Sequence, residues 1–378
     1  MSPHAFGTPT GVAYPSSSEG ARMATIRDVA QRAGVAPSTV SYVFNGSRSI
    51  SEETRRRVQE AVDALGYHPR ASARTLRSSR TQVLALALPR AAGVRHSVDG
   101  RFAIEVSDAA NVLGFDLLLT TSQDKAGGLR RVARSGLADA AVLMAVDMED
   151  ARIDVVRELV FPAALIGRPA DEDALPWTDL DWEAAAALAV HELAAAGHRE
   201  MVYLAPSETE VRGRRSYALR GIDGARRGGR TTGATVKVVH SVNDPARQAH
   251  RLHALLGDGG PPGRTPPTAL VVQHPSAHHH ILASVTAAGL RVPEDLTVVV
   301  IGTLPGDPSS RRLPRIELPV ETLATEVTRL AVAAAEALRE DTARGAAPGE
   351  RLLAESVGHL LIAPALLPGT APLTAPAR

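Results

Sequence analysis

The sequence predicts a chain in two parts: a small helical N-terminal domain, then a much larger α/β body of doubly wound parallel sheets. Three observations carry this. Positive charge is concentrated near the start, two short amphipathic helices meet at a glycine turn, and beyond residue 80 short apolar runs alternate with helical stretches. At about 100–200 residues per domain, 378 residues suffice for two or three domains. Net charge is near zero, with 42 basic and 41 acidic side chains, but it is unevenly spread. Residues 25–80 hold ten arginines against five acids, and residues 81–378 hold 31 basic against 35 acidic residues. A basic head on a slightly acidic body points to a polyanion as the partner of the head. The absence of cysteine excludes disulfides, thiolate metal sites, iron–sulfur clusters and a cysteine nucleophile. No apolar run approaches the ~18 residues of a membrane span. Residues 1–22 are small, polar and rich in Pro, Ser and Gly, without the basic-then-apolar order of a signal peptide, so a cytoplasmic location is expected.

The first helix starts at the Thr25 cap, with Asp28 three residues on, and places Ile26, Val29, Ala30 and Ala33 on one face. Gly34 makes the turn and Val35 enters the core. Pro37 opens a second helix, on which Val40, Val43 and Phe44 are expected inward and Ser38, Thr39, Ser41 and Tyr42 outward, before Asn45-Gly46 ends it. A third helix runs from Ser51 to Gly66. A polar second helix after a tight turn suits base edges and phosphates in a major groove; a plain three-helix bundle with a solvated face is the alternative.

The run Thr25-Ile-Arg-Asp-Val-Ala-Gln-Arg-Ala-Gly-Val-Ala-Pro-Ser-Thr-Val-Ser-Tyr-Val-Phe-Asn-Gly46, with Ser51-Glu-Glu-Thr-Arg55 and Leu65-Gly-Tyr-His-Pro69, closely resembles the LacI/GalR family of bacterial transcriptional regulators. The resemblance covers about residues 24–372. It implies a helix-turn-helix DNA-binding domain over 24–68, a hinge helix over 69–80 and an effector-binding and dimerisation body over 82–372, with residues 1–22 a disordered tail or a mis-called start before Met23. Pro37, Ser38 and Tyr42 stand at its base-reading positions, and Thr25, Thr39, Ser41 and Asn45 at positions that hold phosphates or the helix entry. Tyr42 replaces an arginine common there. In Pro69–Arg77, Arg70, Arg74 and Arg77 share a side, and nine residues are too few for a helix alone in water. A basic linker is the bland reading. The resemblance implies a helix that forms on DNA beside its dimer mate, with Leu76 wedged into a base step from the minor groove and Ala73 at the helix–helix contact.

In the body, Val83–Leu88, Gly114–Leu119, Ala140–Met144, Ala163–Ile166, Met201–Leu204, Thr235–Val239, Ala269–Val272 and Thr297–Ile301 read as buried strands, with helices such as Phe102–Leu113, Trp182–Ala196 and Val320–Arg339 among them. The family's periplasmic-binding-protein-like body implies two lobes with a ligand cleft between them. Lobe 1 is expected over about 82–180 and 318–348, and lobe 2 over about 181–315 and 350–372, with crossings near Leu180, Arg315 and Gly349.

Sugar-binding members use carboxylates, amides and an arginine in that cleft. Here the Ile-Asp-Arg-Pro pattern is Ile166-Gly167-Arg168-Pro169, the Asn-Asp pair is His274-Pro275, and Gly-Phe-Asp-Asp is Val300-Ile301-Gly302-Thr303. The candidate effector residues are His96, Asp99, Arg168, Asp181, Arg215, His274 and Gly302. With these carboxylates lost and arginines nearby, the effector is expected to be other than an ordinary sugar, either anionic or less hydroxylated. His274, His278, His279 and His280 lack a carboxylate at metal-ligand spacing, so neither metal nor cofactor is expected. No nucleophile elbow, phosphate loop with lysine or His-Glu-x-x-His occurs, which argues against an enzyme. The expected function is a repressor-type regulator that binds a palindromic double-stranded operator as a homodimer on the nucleoid, tuned by a small-molecule effector. The alternatives are a small-molecule receptor with a vestigial head and an effector-independent regulator with a degenerate pocket.

Overall fold

The computed structural model describes residues 24–45, 50–65, 80–88, 97–242, 244–256, 265–273, 278–308, 310–345 and 358–375. They fall into two compact units that part between Arg80 and Thr81. The proposed tail (1–22) and the hinge residues Ala73, Arg74 and Leu76 lie outside the described residues, as do His96 and His274.

The first unit has three helices, α1 (Ile26–Ala33), α2 (Pro37–Asn45) and α3 (Glu52–Leu65). Its start is fixed locally. The Thr25 N–H and hydroxyl both donate to Asp28 Oδ2 at 2.7 Å, and the Asp28 N–H returns a 3.4 Å bond to Thr25 Oγ1. This capping box satisfies N–H groups that the helix itself leaves unpaired. Gly34 ends α1 with φ of 63°, a conformation costly for any residue with a Cβ. Val29, Ala30, Ala33, Val40, Val58 and Ala61 form the core. Two expectations fail on α2. Ser41 is buried, because its side chain is small enough to be covered beside Val40. Phe44, expected inward, is 38% exposed.

The second unit holds two six-stranded sheets. In chain order its elements are β1 (Val83–Ala87), α4 (Ser97–Val112), β2 (Asp116–Thr120), α5 (Lys125–Ser135), β3 (Ala140–Leu143), α6 (Ala151–Leu159), β4 (Ala163–Ile166), β5 (Trp177–Leu180), α7 (Trp182–Ala195), β6 (Glu200–Ala205), α8 (Glu208–Arg212), α9 (Ser216–Thr232), β7 (Thr235–His240), α10 (Pro245–Leu256), β8 (Ala269–Gln273), α11 (His278–Ala287), β9 (Thr297–Thr303), β10 (Arg315–Glu317), α12 (Val320–Arg344), β11 (His359–Ile362) and β12 (Leu366–Leu367). The first sheet runs β11-β5-β4-β3-β1-β2, parallel throughout. The second runs β12-β10-β9-β8-β6-β7, parallel except for β12.

Strand side chains alternate between two packed faces. Leu84 and Leu86 join one cluster and Ala85 and Ala87 another, which is why these strands read as unbroken apolar runs. One apolar cluster spans both lobes, from Leu84 and Ala164 through Leu323 of α12 to Met201, Val271 and Ile301. The chain leaves the first sheet after Leu180 and returns after β10, since α12 packs on α4, β3 and β4. The third crossing corrects the expected one near Gly349. β11 pairs with β5, with Leu360 opposite Thr178, so residues 359–362 belong to the first lobe. The crossing falls between Ile362 and Leu366, the start of β12 in the second sheet. Strand pairing between distant segments set this, and no local pattern signals it.

Candidate nucleic-acid interface and interlobe cleft

On the first unit, Pro37 and Ser38 are exposed, and Thr39 and Tyr42 are half-buried. They form the start and one side of α2, with exposed Arg27 and Arg32 on α1 and Arg55, Arg56 and Arg57 on α3. Thr25 is committed to its capping box. Ser41 lies under this surface. The side chain of Asn45 is outside what is described.

In the second unit the lobes meet at two loops after β3 and before α9. The Met148 N–H donates to the Arg214 carbonyl at 2.9 Å, and the Ser216 N–H to the Val146 carbonyl at 3.0 Å. Asp147 and Arg215 pair antiparallel between these bonds. Side chains reinforce the seam. Asp147 accepts from Lys125 of α5 and, at 2.7 Å, from Arg215, and both cations also donate to the Ala145 carbonyl. Arg214 pairs with Glu149 at 2.9 Å. Burial lowers the Lys125 pKa, with the Asp147 hydrogen bond acting against it and the Arg215 charge adding to it. Ala145 and Arg214 have φ of 53° and 55°. Each left-handed residue costs about 1–2 kcal/mol.

A second junction lies next to the first, joined to it by the Ser216 hydroxyl, which donates to the Arg168 carbonyl. Arg220 donates to the Pro169 carbonyl at 3.0 Å and to Glu172 at 3.3 Å; Arg168 reaches the same Glu172 oxygen at 3.5 Å and lies over the Trp177 ring, which also stacks on His359 with centroids 4.6 Å apart. The Nε atoms of both arginines are buried without an acceptor. Asp179 accepts from the Arg168 N–H at 3.0 Å and the Trp182 indole at 2.9 Å. Burial outweighs these bonds and raises its carboxyl to about 7. Trp182 in turn packs at a tilt on Tyr217, ring centroids 5.4 Å apart. Behind these rings Tyr203 donates to Gln273 at 2.8 Å, and Gln273 to the Tyr217 carbonyl at 2.7 Å.

The candidate effector residues divide. Arg168 and Arg215 stand at adjoining junctions, and the charge of Asp99 is felt at the Tyr217 hydroxyl, which donates to Glu210. Asp181 instead caps α7, accepting from the Ala184 N–H at 2.9 Å. Gly302 is buried in β9. Lys125, Asp147 and Asp179 were missed. One signal pointed to the first: Lys125 is one of only two lysines in an arginine-rich chain. Among the described residues no three His, Asp or Glu gather to hold a metal, and no helix is long and apolar enough to cross a membrane.

Residues 25–70 match the family described as "Bacterial regulatory proteins, lacI family", and residues 190–355 match a periplasmic binding protein-like domain. Catabolite control protein A of Priestia megaterium is 28% identical over 48% of this chain and 54% of its own length. Catabolite control protein A of Streptococcus mutans is 28% identical over 73% of this chain and 80% of its length. The chain thus spans about half the length of the first curated relatives it matches. In fold it is similar to the lac repressor dimer bound to operator and the anti-inducer ONPF, with a TM-score of 0.73 and 19% identity over 92% of this chain and 98% of that one.

Proposed function

We propose, from the premise that this chain belongs to the LacI family of bacterial regulatory proteins, that it is a sequence-specific DNA-binding transcriptional regulator, acting as a repressor. It works as a homodimer on a near-palindromic operator in the cytoplasm, and a small molecule other than an ordinary sugar, held between the lobes, sets its DNA affinity. The observation that carries this is the exposed, polar start of α2 beside the exposed arginines of α1 and α3. Pro37, Ser38 and Tyr42 face bases, Thr39 faces phosphate, and Leu76 with Ala73 and Arg74 forms the minor-groove hinge. Exposed Ile104 (60%) and Val112 (86%) of α4, with Leu119 (50%) of the edge strand β2, offer a second copy an apolar face. The effector-independent reading has one observation in its favour: Asp147 already stands between the cations that face each other across the lobes.

Selection of duplexes from a random library, followed by fluorescence anisotropy, tests the regulator. A selected site is expected to bind about a thousandfold or more tighter than random competitor, with affinity falling steeply as salt rises. Tyr42→Ala should weaken the selected site by about ten- to a hundredfold, an effect of about 1–3 kcal/mol, and leave non-specific binding unchanged. Equal affinity for all duplexes overturns the reading.

A further inference from the structure

Both interlobe junctions are short of acceptors. Lys125, from the first lobe, and Arg215, from the second, share one carboxylate, Asp147, and one carbonyl, Ala145. Their side chains are 20% and 16% exposed. At the neighbouring junction Arg168 and Arg220 share Glu172, and the Nε of each is buried with no partner. Asp179 faces the same pair, but with a carboxyl raised to about 7 by burial it carries only part of a charge at neutral pH. Two ion pairs close by match one cation to one carboxylate: Arg152 with Asp150, and Arg214 with Glu149. Asp99 acts at Tyr217.

Buried cations are normally paired one to one, and buried N–H groups normally have an acceptor. Two cations per carboxylate, twice over, with two orphaned N–H groups, therefore ask for added oxygens bearing negative charge. A neutral polyol asks for the opposite, carboxylates to receive its hydroxyls, and Gly167 and Gly302-Thr303 provide none. The hydroxyl of the fully buried Thr303, at the end of β9, is itself without a partner.

We propose that the effector is a small anion bearing a phosphate or carboxylate group, which takes the place of Asp147 between Lys125 and Arg215, with Arg168 and Arg220 as neighbouring donors. Asp147 is then the built-in stand-in for the ligand. Because Lys125 and Arg215 belong to opposite lobes, exchanging an anchored carboxylate for a free anion changes how the lobes are held. This rests on reading the cleft as an effector site.

Isothermal calorimetry on the full chain without DNA tests it, with inorganic phosphate, citrate and glucose as probes. Saturable binding of phosphate or citrate is expected, with glucose inert. Loss of the charged donors in Arg215→Gln should weaken it about tenfold or more. Asp147→Asn, which removes the competing charge and keeps the side-chain shape, should tighten it, an opposite change that misfolding cannot mimic. Whichever of the two anions binds identifies the group. Saturable binding by neither anion, binding of glucose in their place, or equal anion binding in both variants overturns the proposal. A chain that binds an anion this way but prefers no duplex would sink the regulator and leave the anion site standing.

Discussion

Arg152→Met is expected to destabilise the body by about 3–5 kcal/mol, read as a fall in the midpoint of urea or thermal unfolding followed by circular dichroism. Arg152 is fully buried at the start of α6. Its Nε and Nη2 hold Asp150 at 2.9 and 2.6 Å, and Nη2 also donates to the Met144 carbonyl at 2.8 Å. Methionine fills much of the volume but leaves a buried carboxylate without a counter-ion and a strand-end carbonyl without a donor. The effect depends on pH. Burial alone would raise the Asp150 carboxyl, but the hydrogen bond and charge of Arg152 outweigh it and hold the group at about 2. A folded value below the unfolded one stabilises the protein above about pH 4, and that contribution disappears as pH falls toward 2. The deficit of Arg152→Met should therefore be largest at neutral pH and shrink in acid. Equal deficits at pH 7 and pH 3 would contradict the pairing. Asp179 has the reverse sign: raised to about 7, it stabilises fully below about pH 4, and this is lost as pH climbs through neutrality.

Gly224→Ala should cost about 3 kcal/mol, the upper end for overpacking a core. The helices α7 and α9 approach closely because one is rich in alanine and the other in glycine. A Cβ on Gly224 would lie 2.1 Å from the Glu183 carbonyl oxygen, which is backbone and cannot swing aside. One turn on, a Cβ at Gly228 would meet Val190 at 2.9 Å. The control is Gly100→Ala on α4, where nothing lies within 4 Å; it should stabilise by about 0.5–1 kcal/mol. If the two variants unfold alike, the helix contact is wrong.

The head was legible because its signals are local: Thr25 with Asp28, Gly34 and the apolar stripe lie within ten residues. Strands such as Ala163–Ile166, buried on both faces, announced themselves as apolar runs. Trp177–Leu180 did not, because two of its four residues are polar and become buriable only through distant partners: Thr178 donates to the Leu323 carbonyl, and Asp179 is held by Trp182 and Arg168. β11 was hidden for the same reason, its sheet being chosen by that strand. The ion junctions were illegible as junctions. Asp147 and Arg215 are 68 positions apart, and charged residues that meet across lobes look like ordinary surface charges until the fold brings them together. Sequence reasoning found the arginines and the lost carboxylates of the cleft, but not the acid that answers them.

The backbone seam between the lobes also gives the protein a built-in gauge. The amide hydrogens of Met148 and Ser216 are tied across the gap to carbonyls of the opposite lobe. They can trade with deuterium whenever the halves swing apart, without waiting for either sheet to melt. Amides inside β3 or β8 wait for the slower event. The ratio of the two exchange rates therefore meters hinge motion in solution, and it can be followed with no operator and no knowledge of the natural ligand.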